Sequence, residues 1–145
     1  MPIYMKIDGV DGSVTAQGHE RWIELTSVSA AIAKPAAGGR STPSVSEIVV
    51  TKATDKSTTK LQQAVAQGTF YTDAILEFID VSTAPQEPYL SYKLTNVIVT
   101  SYSVSGDGHS YPAESLSLNF TRADFRYTDI LGDGSSQSGS WPGSR

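Results

Sequence analysis

The stretch PAESLSLNFTRADFRY, residues 112–127, alternates apolar and small polar residues. Leu116, Leu118 and Phe120 would lie on one side of an extended chain, and Ser115 and Ser117 on the other. Successive side chains of a strand point to opposite faces, so this pattern predicts a half-buried β-strand. Its apolar face belongs to a core, whereas its other face is small, uncharged and chemically inert.

Other segments of the same kind predict a mainly β protein. Each is rich in β-branched, leucine or aromatic residues and is bounded by Gly, Pro, Asp or Ser. The predicted strands are Ile3–Asp8, Trp22–Ala30, Val45–Thr51, Phe70–Val81, Tyr89–Leu94, Val97–Val104 and Glu114–Tyr127. Seven strands in 145 residues favour a sandwich or a closed barrel, because closure removes exposed sheet edges.

One segment has helical periodicity instead. Leu61, Ala64 and Val65 recur at i, i+3 and i+4, which predicts a short α-helix at about Thr58–Gln67, docked on the sheet by this stripe. Ser57 is the candidate N-cap, Asp55 the acidic residue near the positive helix end, and Gly68 the C-terminal stop.

Two stretches are predicted to lie outside regular structure. Residues 33–44, AKPAAGGRSTPS, form a long loop rich in Pro, Gly and Ala, which is a contact candidate. The barrel domain is assigned to residues 1–130, and the Ser/Gly-rich residues 131–145 are a separate tail with the composition of a flexible linker.

Composition excludes several classes of function. The net charge is −4 with no basic block, which argues against nucleic-acid binding. There is no cysteine, so disulfides and thiolate metal sites are excluded. No apolar run is long enough to span a bilayer, so we expect no membrane insertion, and the N-terminus lacks the pattern of a cleaved signal peptide.

No catalytic or metal motif is present. His19 and His109 belong to neither a G-x-S-x-G nor an H-E-x-x-H pattern, and His19 is interpreted as a loop histidine bonded to backbone beside Trp22. The Asp-Gly pairs are turn formers rather than a complete calcium loop. We therefore expect no enzyme activity, no metal and no cofactor. The tyrosines are assigned to the core or to interfaces.

Five spaced blocks resemble one known family. They are KIDG (6–9), GHE.WIEL (18–25), TK..DKST..L (51–61), NVIVTSYS (96–103) and ESLSLNF (114–120). Over about residues 3–128 the chain resembles the haemolysin-coregulated protein (Hcp) family, the tube subunits of the bacterial type VI secretion system. The resemblance implies a compact β-barrel of two antiparallel sheets with one short docked α-helix, and a homohexameric ring that stacks into a tube.

The resemblance also implies the partners and location of the protein. Its partners would be further copies of itself, small effector proteins in the ring lumen, and the sheath, spike and baseplate proteins. It would reside in the bacterial cytoplasm and then be secreted by the machine without a cleaved signal peptide.

The lumen should be lined by the inert face of the sheet, since serine hydroxyls bind water and create no apolar patch. Ser29 is the first candidate for the lumen, followed by Ser27, Ser101 and Ser103. The alternative position of these serines is the outer surface or a subunit interface. The candidates for ring stacking lie in the long loop and are Lys34, Pro35, Gly38, Gly39 and Arg40.

Two other functions stay open on the sequence. A non-catalytic β-barrel binding module would use the tyrosines as a sugar or protein platform, and a phage-type tail-tube protein would share the tube architecture. An enzyme would require His19 or His109 beside a carboxylate in a pocket.

Overall fold

Eleven strands and one helix make up the described part of the chain. The computed structural model describes residues 1–33, 44–82 and 86–144. The strands are β1 Ile3–Lys6, β2 Ile23–Leu25, β3 Ser27–Ser29, β4 Ile32–Ala33, β5 Ser44–Val45, β6 Ile48–Ala53, β7 Phe70–Asp80, β8 Glu87–Ser105, β9 Ala113–Asn119, β10 Arg122–Thr128 and β11 Ser136–Pro142. The helix α1 is Thr58–Gln67, as predicted.

All described strand pairs are antiparallel and most belong to one sheet. Its strand order is β2-β1-β7-β8-β9-β6-β3, with β10 beside β8 and β11 beside β10, whereas β4 and β5 form a separate ribbon. The first and last strands of this order, β2 and β3, are separated in sequence only by Thr26. Residues 23–29 therefore form both end strands of this order, with β2 paired to β1 and β3 paired to β6. This brings the two ends of the sheet together and gives the predicted barrel-like architecture.

The 19-residue strand β8 connects the two halves of the sheet. Its first half pairs with β10 at residues 90–95, and its second half pairs with β9 at residues 98–105. Asn96 lies between them with a φ of 54°, and Thr121 between β9 and β10 donates its N–H to the Thr95 carbonyl. The chain bends at this position because asparagine tolerates the left-handed region better than most residues.

Several predicted boundaries are corrected by this arrangement. The two predicted strands Tyr89–Leu94 and Val97–Val104 are one strand, whereas Trp22–Ala30 and Glu114–Tyr127 each contain two strands. The segment 131–145 has the composition of a flexible linker, but its residues Ser136–Pro142 form a strand that pairs with β10 along all seven residues. Trp141 fixes this strand by packing against Phe125 and Tyr92, with ring centroids 4.9 and 5.8 Å away.

A single apolar core lies between the halves of the sheet. It contains Leu116, Leu118 and Phe120, which are fully buried as the alternating stretch predicts. Leu61 of α1 joins the same cluster, so the helix is docked on the sheet by its apolar stripe. The helix ends at Gly68, as predicted, where φ is 63°. The Gly68 N–H donates to the Val65 carbonyl and the Thr69 N–H donates to the Ala64 carbonyl, which terminates the helix.

Candidate functional site

The four predicted serines lie on one face of four neighbouring strands. Two rows of residues cross β8, β9, β6 and β3 in register. The first row is Ser103, Ser115, Thr51 and Ser27, and the second row is Ser101, Ser117, Val49 and Ser29. We call these eight residues the serine face. The residues that alternate with them, such as Leu116, Leu118 and Val50, point into the core.

The hydroxyl groups of the serine face bond to one another across the strands. Ser27 and Thr51 share a hydrogen bond of 2.5 Å, and Ser101 donates to Ser117 over 2.9 Å. Ser27, Ser29, Ser101 and Ser103 are all exposed. Cross-strand hydroxyl pairs of this kind hold the side chains in place while leaving acceptor capacity for water. The face is thus rigid, wettable and without charge.

A β-bulge brings one carboxylate to the border of the serine face. The register of β8 against β9 shifts between Val99 and Ser101, which leaves Thr100 as an extra residue. Its hydroxyl donates to Glu47 over 2.7 Å. Glu47 directly precedes β6, so the only charge in this set of contacts lies at one end of the face.

The four strands under the serine face have two open edges. Among the described strands, β3 pairs only with β6, and β8 beyond Ile98 pairs only with β9. Large apolar side chains are exposed at both edges. Val104 and Phe70 are 53% and 62% exposed near the β8 edge, and Ile32 is 44% exposed just after β3. Open edges with apolar side chains are typical of surfaces that pair with another chain.

A buried ion network that sequence reasoning missed holds α1 onto the sheet. Lys52 Nζ lies 2.7 Å from Glu114 Oε1 and 3.1 Å from Asp55 Oδ1, and the side chains of Lys52 and Glu114 are fully buried. The second oxygen of Glu114 accepts hydrogen bonds from Thr54 and Thr58. The network therefore joins β6, β9 and the first residue of the helix.

A sequence signal for this network exists. Lys52 follows Ile48 and Val50 at the core-facing positions of β6, and Glu114 precedes Leu116 at those of β9. Opposite charges at core positions of two strands predict a buried pair. The block TK..DKST..L is explained by this network and by the buried Leu61.

Ser57 occupies the N-cap position of α1, but its side chain does not bond to the helix backbone. Its hydroxyl donates instead to Asp55 Oδ1 over 2.5 Å, and its backbone N–H donates to the same oxygen over 2.8 Å. Asp55 is therefore held between Lys52 and Ser57, and both predicted cap residues belong to the ion network.

His19 bonds to a carboxylate rather than to backbone through its side chain, which corrects the sequence interpretation. Its Nε2 lies 2.6 Å from Glu77 Oε1, and its ring lies 4.6 Å from that of Trp22 and 5.1 Å from that of Tyr4. The adjacent open cavity is lined by small and amide residues besides His19, none of them a nucleophile: Ala16, Gln17, Gly18 and Gln86. This geometry fits a fixed loop better than a hydrolytic site.

The predicted stacking site and two further kinds of site remain to be described. The stacking candidates Lys34, Pro35, Gly38, Gly39 and Arg40 lie outside the described residues. Within residues 1–33, 44–82 and 86–144, no group of three or more His, Asp or Glu side chains is arranged to hold a metal ion. In the same ranges, no helix has the length and apolarity needed to cross a membrane.

Comparison with known proteins identifies one group of relatives. The sequence profile of the family described as "Type VI secretion system effector, Hcp" matches residues 4–127. Protein hcp1 of Pseudomonas aeruginosa is 32% identical over 96 residues, which are 66% of this chain and 59% of that protein. The matched part thus spans less than two thirds of that relative.

Solved structures share the fold over nearly the whole chain. A protein described as a type six secretion system protein superposes with a TM-score of 0.86 at 27% identity, covering 97% of this chain and 94% of that one. Hcp1 from Salmonella typhimurium superposes with a TM-score of 0.82 at 27% identity, covering 97% and 93%.

Proposed function

The chain belongs to the Hcp family of the type VI secretion system, and from this premise we propose that it is a non-catalytic tube subunit. Six copies would form a ring, rings would stack into a tube, and the lumen would carry small effector proteins. Participation in type VI secretion, and hence export, follows from the family. The ring, the stacking and the cargo are the proposal.

The observation that carries the proposal is the serine face on a four-stranded sheet with both edges open. If the β3 edge of one copy pairs with the β8 edge of the next, the sheet continues from copy to copy. Such a head-to-tail interface closes into a ring when its rotation divides the circle evenly. Ile32 on one edge, and Val104 and Phe70 on the other, would then be covered.

Ring closure by these edges would also determine where the serine face lies. The curved sheet would present one outward face of every copy to the same side, and an inert hydroxyl surface suits a lumen through which folded cargo moves. Serine and threonine bind water and lose little side-chain entropy. A lumen without a strong field of one sign would not retain charged cargo.

The test is the mass of the purified, untagged protein measured by light scattering after size exclusion. The proposal expects a particle of six times the chain mass of 15.5 kDa. A monomer at high concentration would contradict it and would favour the binding-module alternative, for which the next step is a ligand screen.

Ser29 tests the lumen assignment separately. We expect Ser29→Arg to reduce retention of a co-expressed small effector while the ring mass is unchanged, because a long cation would protrude from the serine face. The control is Ser110→Arg in the exposed loop before β9. Loss of rings in Ser29→Arg would instead assign Ser29 to the subunit interface.

The long loop is the proposed stacking element. Deletion of residues 36–40 should abolish long tubes in electron micrographs and leave the ring mass unchanged. Tubes of normal length would remove the loop from the proposal.

A further inference from the structure

The outward face of the other half of the sheet carries charges, in contrast to the serine face. Two rows cross β7, β8, β10 and β11 in register. The first is Ile75, Lys93, Asp124 and Ser140, and the second is Glu77, Ser91, Arg126 and Ser138. All of these residues except Glu77 line a groove of about 450 Å³, and Arg122 lines it as well. Glu77 bonds to His19 instead. We call this groove the charged groove.

The charged groove has an excess of positive charge. Arg122 is paired with Asp124 at 3.0 Å. Neither Lys93 nor Arg126 has an ion pair within 4 Å among the residues that the structure describes, and Arg126 donates only to the Ser136 hydroxyl there. Two uncompensated cations therefore line the groove of a protein whose net charge is −4.

The backbone beside the groove offers a second recognition element. Strand β11 pairs with β10 alone among the described strands, so its outer edge is open. It contains no charged residue and is composed mainly of Ser and Gly. An open edge next to a groove is the combination used when an extended segment adds to a sheet, with backbone bonds supplying affinity and side-chain contacts supplying specificity.

From these features we propose that the charged groove and the β11 edge bind an acidic, extended segment of another protein. The inference rests on the proposed ring for its orientation: the groove lies across the core from the serine face and would face outward when that face lines the lumen. The partner is then a protein surrounding the tube. Two uncompensated cations in an acidic chain are too few for nucleic acid, whose binding depends on many phosphate contacts.

The experiment measures the binding of a labelled peptide of alternating Glu and Ser by fluorescence anisotropy, with a Lys-Ser peptide as the opposite-charge probe. We expect the Glu-Ser peptide alone to bind, and more weakly at about 0.5 M than at about 0.05 M salt, because salt screens exposed charges. Lys93→Glu/Arg126→Glu should weaken binding by roughly tenfold or more, and Lys93→Gln/Arg126→Gln by less.

The matched control is Lys56→Glu/Lys60→Glu, which changes the net charge equally at exposed positions in and next to α1. An equal loss in this control, or no binding of the Glu-Ser peptide to the wild-type protein, would overturn the proposal. Equal or tighter binding of a single-stranded oligonucleotide would overturn it as well.

The mass of every variant, measured by light scattering, separates this proposal from the ring. Peptide binding by a monomer would support the groove and contradict the ring. Rings that bind no peptide would support the ring and contradict the proposed role of the groove.

Discussion

Lys52 lies among the core-facing residues of β6, and its side chain is fully buried. A fully buried ammonium group is tolerated because two carboxylates lie within 3.1 Å and the second oxygen of Glu114 is also bonded. Ion pairs removed from water contribute little net stability when intact, since desolvation offsets their attraction. Removal of one partner leaves the other charge buried, and that state is costly.

The first prediction concerns this asymmetry. Lys52→Met should lower the free energy of unfolding by about 3–5 kcal/mol, because Glu114 stays buried without its cation. The measurement is urea unfolding followed by far-UV circular dichroism. Lys56→Met, at an exposed neighbouring position, should change stability by less than about 0.5 kcal/mol.

The double variant Lys52→Met/Glu114→Met identifies the cause. It should be more stable than Lys52→Met alone, because the uncompensated carboxylate is removed. A double variant that is less stable than the single one would mean that the loss comes from packing.

The second prediction is a pH dependence at Asp80. The Ser82 hydroxyl and backbone N–H donate to this carboxylate, and these bonds hold the pKa of Asp80 below its ordinary value. A carboxyl with a lowered folded pKa stabilises the protein above its unfolded pKa, and this contribution is lost as pH falls through the folded pKa.

Ser82→Ala should therefore be less stable than wild type at neutral pH, and the difference should be smaller at about pH 2.5, because the contribution of the carboxylate is lost as pH falls through its folded pKa. Urea unfolding at the two pH values provides the measurement. A difference of the same size at both would show that the hydroxyl acts independently of the Asp80 charge.

Residue-level prediction from sequence succeeds where the information is local. The alternation around residues 115–118 identifies the serines and the core leucines, because strand geometry alone separates the two faces. The Lys52–Glu114 pair joins residues 62 positions apart, and only the strand register brings them together. The sequence predicts that the Ser57 hydroxyl caps the helix backbone, because the competing acceptor, Asp55, is recognisable only once the turn is folded.

At the scale of elements, β11 shows how tertiary contacts override composition. Its Ser/Gly sequence is that of a linker, yet it forms a strand because β10 offers an open edge and Trp141 packs against Phe125. A Cβ at position 139 would lie 2.7 Å from the Phe125 ring, so any larger residue than Gly139 would force the ring to shift. The glycine that suggests flexibility in the sequence thus provides the space for an aromatic ring.

The third prediction tests this contact. Gly139→Val should destabilise the protein by about 1–3 kcal/mol, because the ring must move to accept the side chain. Trp141 fluorescence should shift, and amide exchange in β11 should accelerate. Ser140→Val, on the exposed side of the same strand, is the control and should cause no loss. Equal destabilisation by both would contradict a specific role of the Phe125 contact.

The bend in the sheet could not be predicted from sequence either. Asn96 and Thr121 are 25 positions apart, and their side chains bond at 3.1 Å where β8 bends and where β9 passes into β10. Each residue alone is an ordinary polar residue between strands. That the two residues meet at the same bend can be seen only when the pairing of β8 with β9 and β10 is known.

At the scale of the whole molecule, the proposed ring depends on the two open edges of the serine-face sheet. The fourth prediction is that Val104→Lys converts rings into monomers without unfolding the chain, because a charged side chain opposes pairing at a strand edge. Val104 is already 53% exposed in the isolated chain. Light scattering and a thermal melt measure the two effects.

Leu131→Lys is the control for Val104→Lys, since Leu131 is 72% exposed in the connection between β10 and β11. Its ring mass should equal that of wild type. Rings of unchanged mass in Val104→Lys would exclude the β8 edge from the interface.

The length of β8 has a mechanical consequence. Along one edge of this 19-residue strand, residues 87–98 pair with β7. Along the other edge, residues 90–95 pair with β10 and residues 98–105 pair with β9. A force along this strand would load many bonds at once in shear, whereas a force at the short β4–β5 ribbon would open its few bonds in sequence.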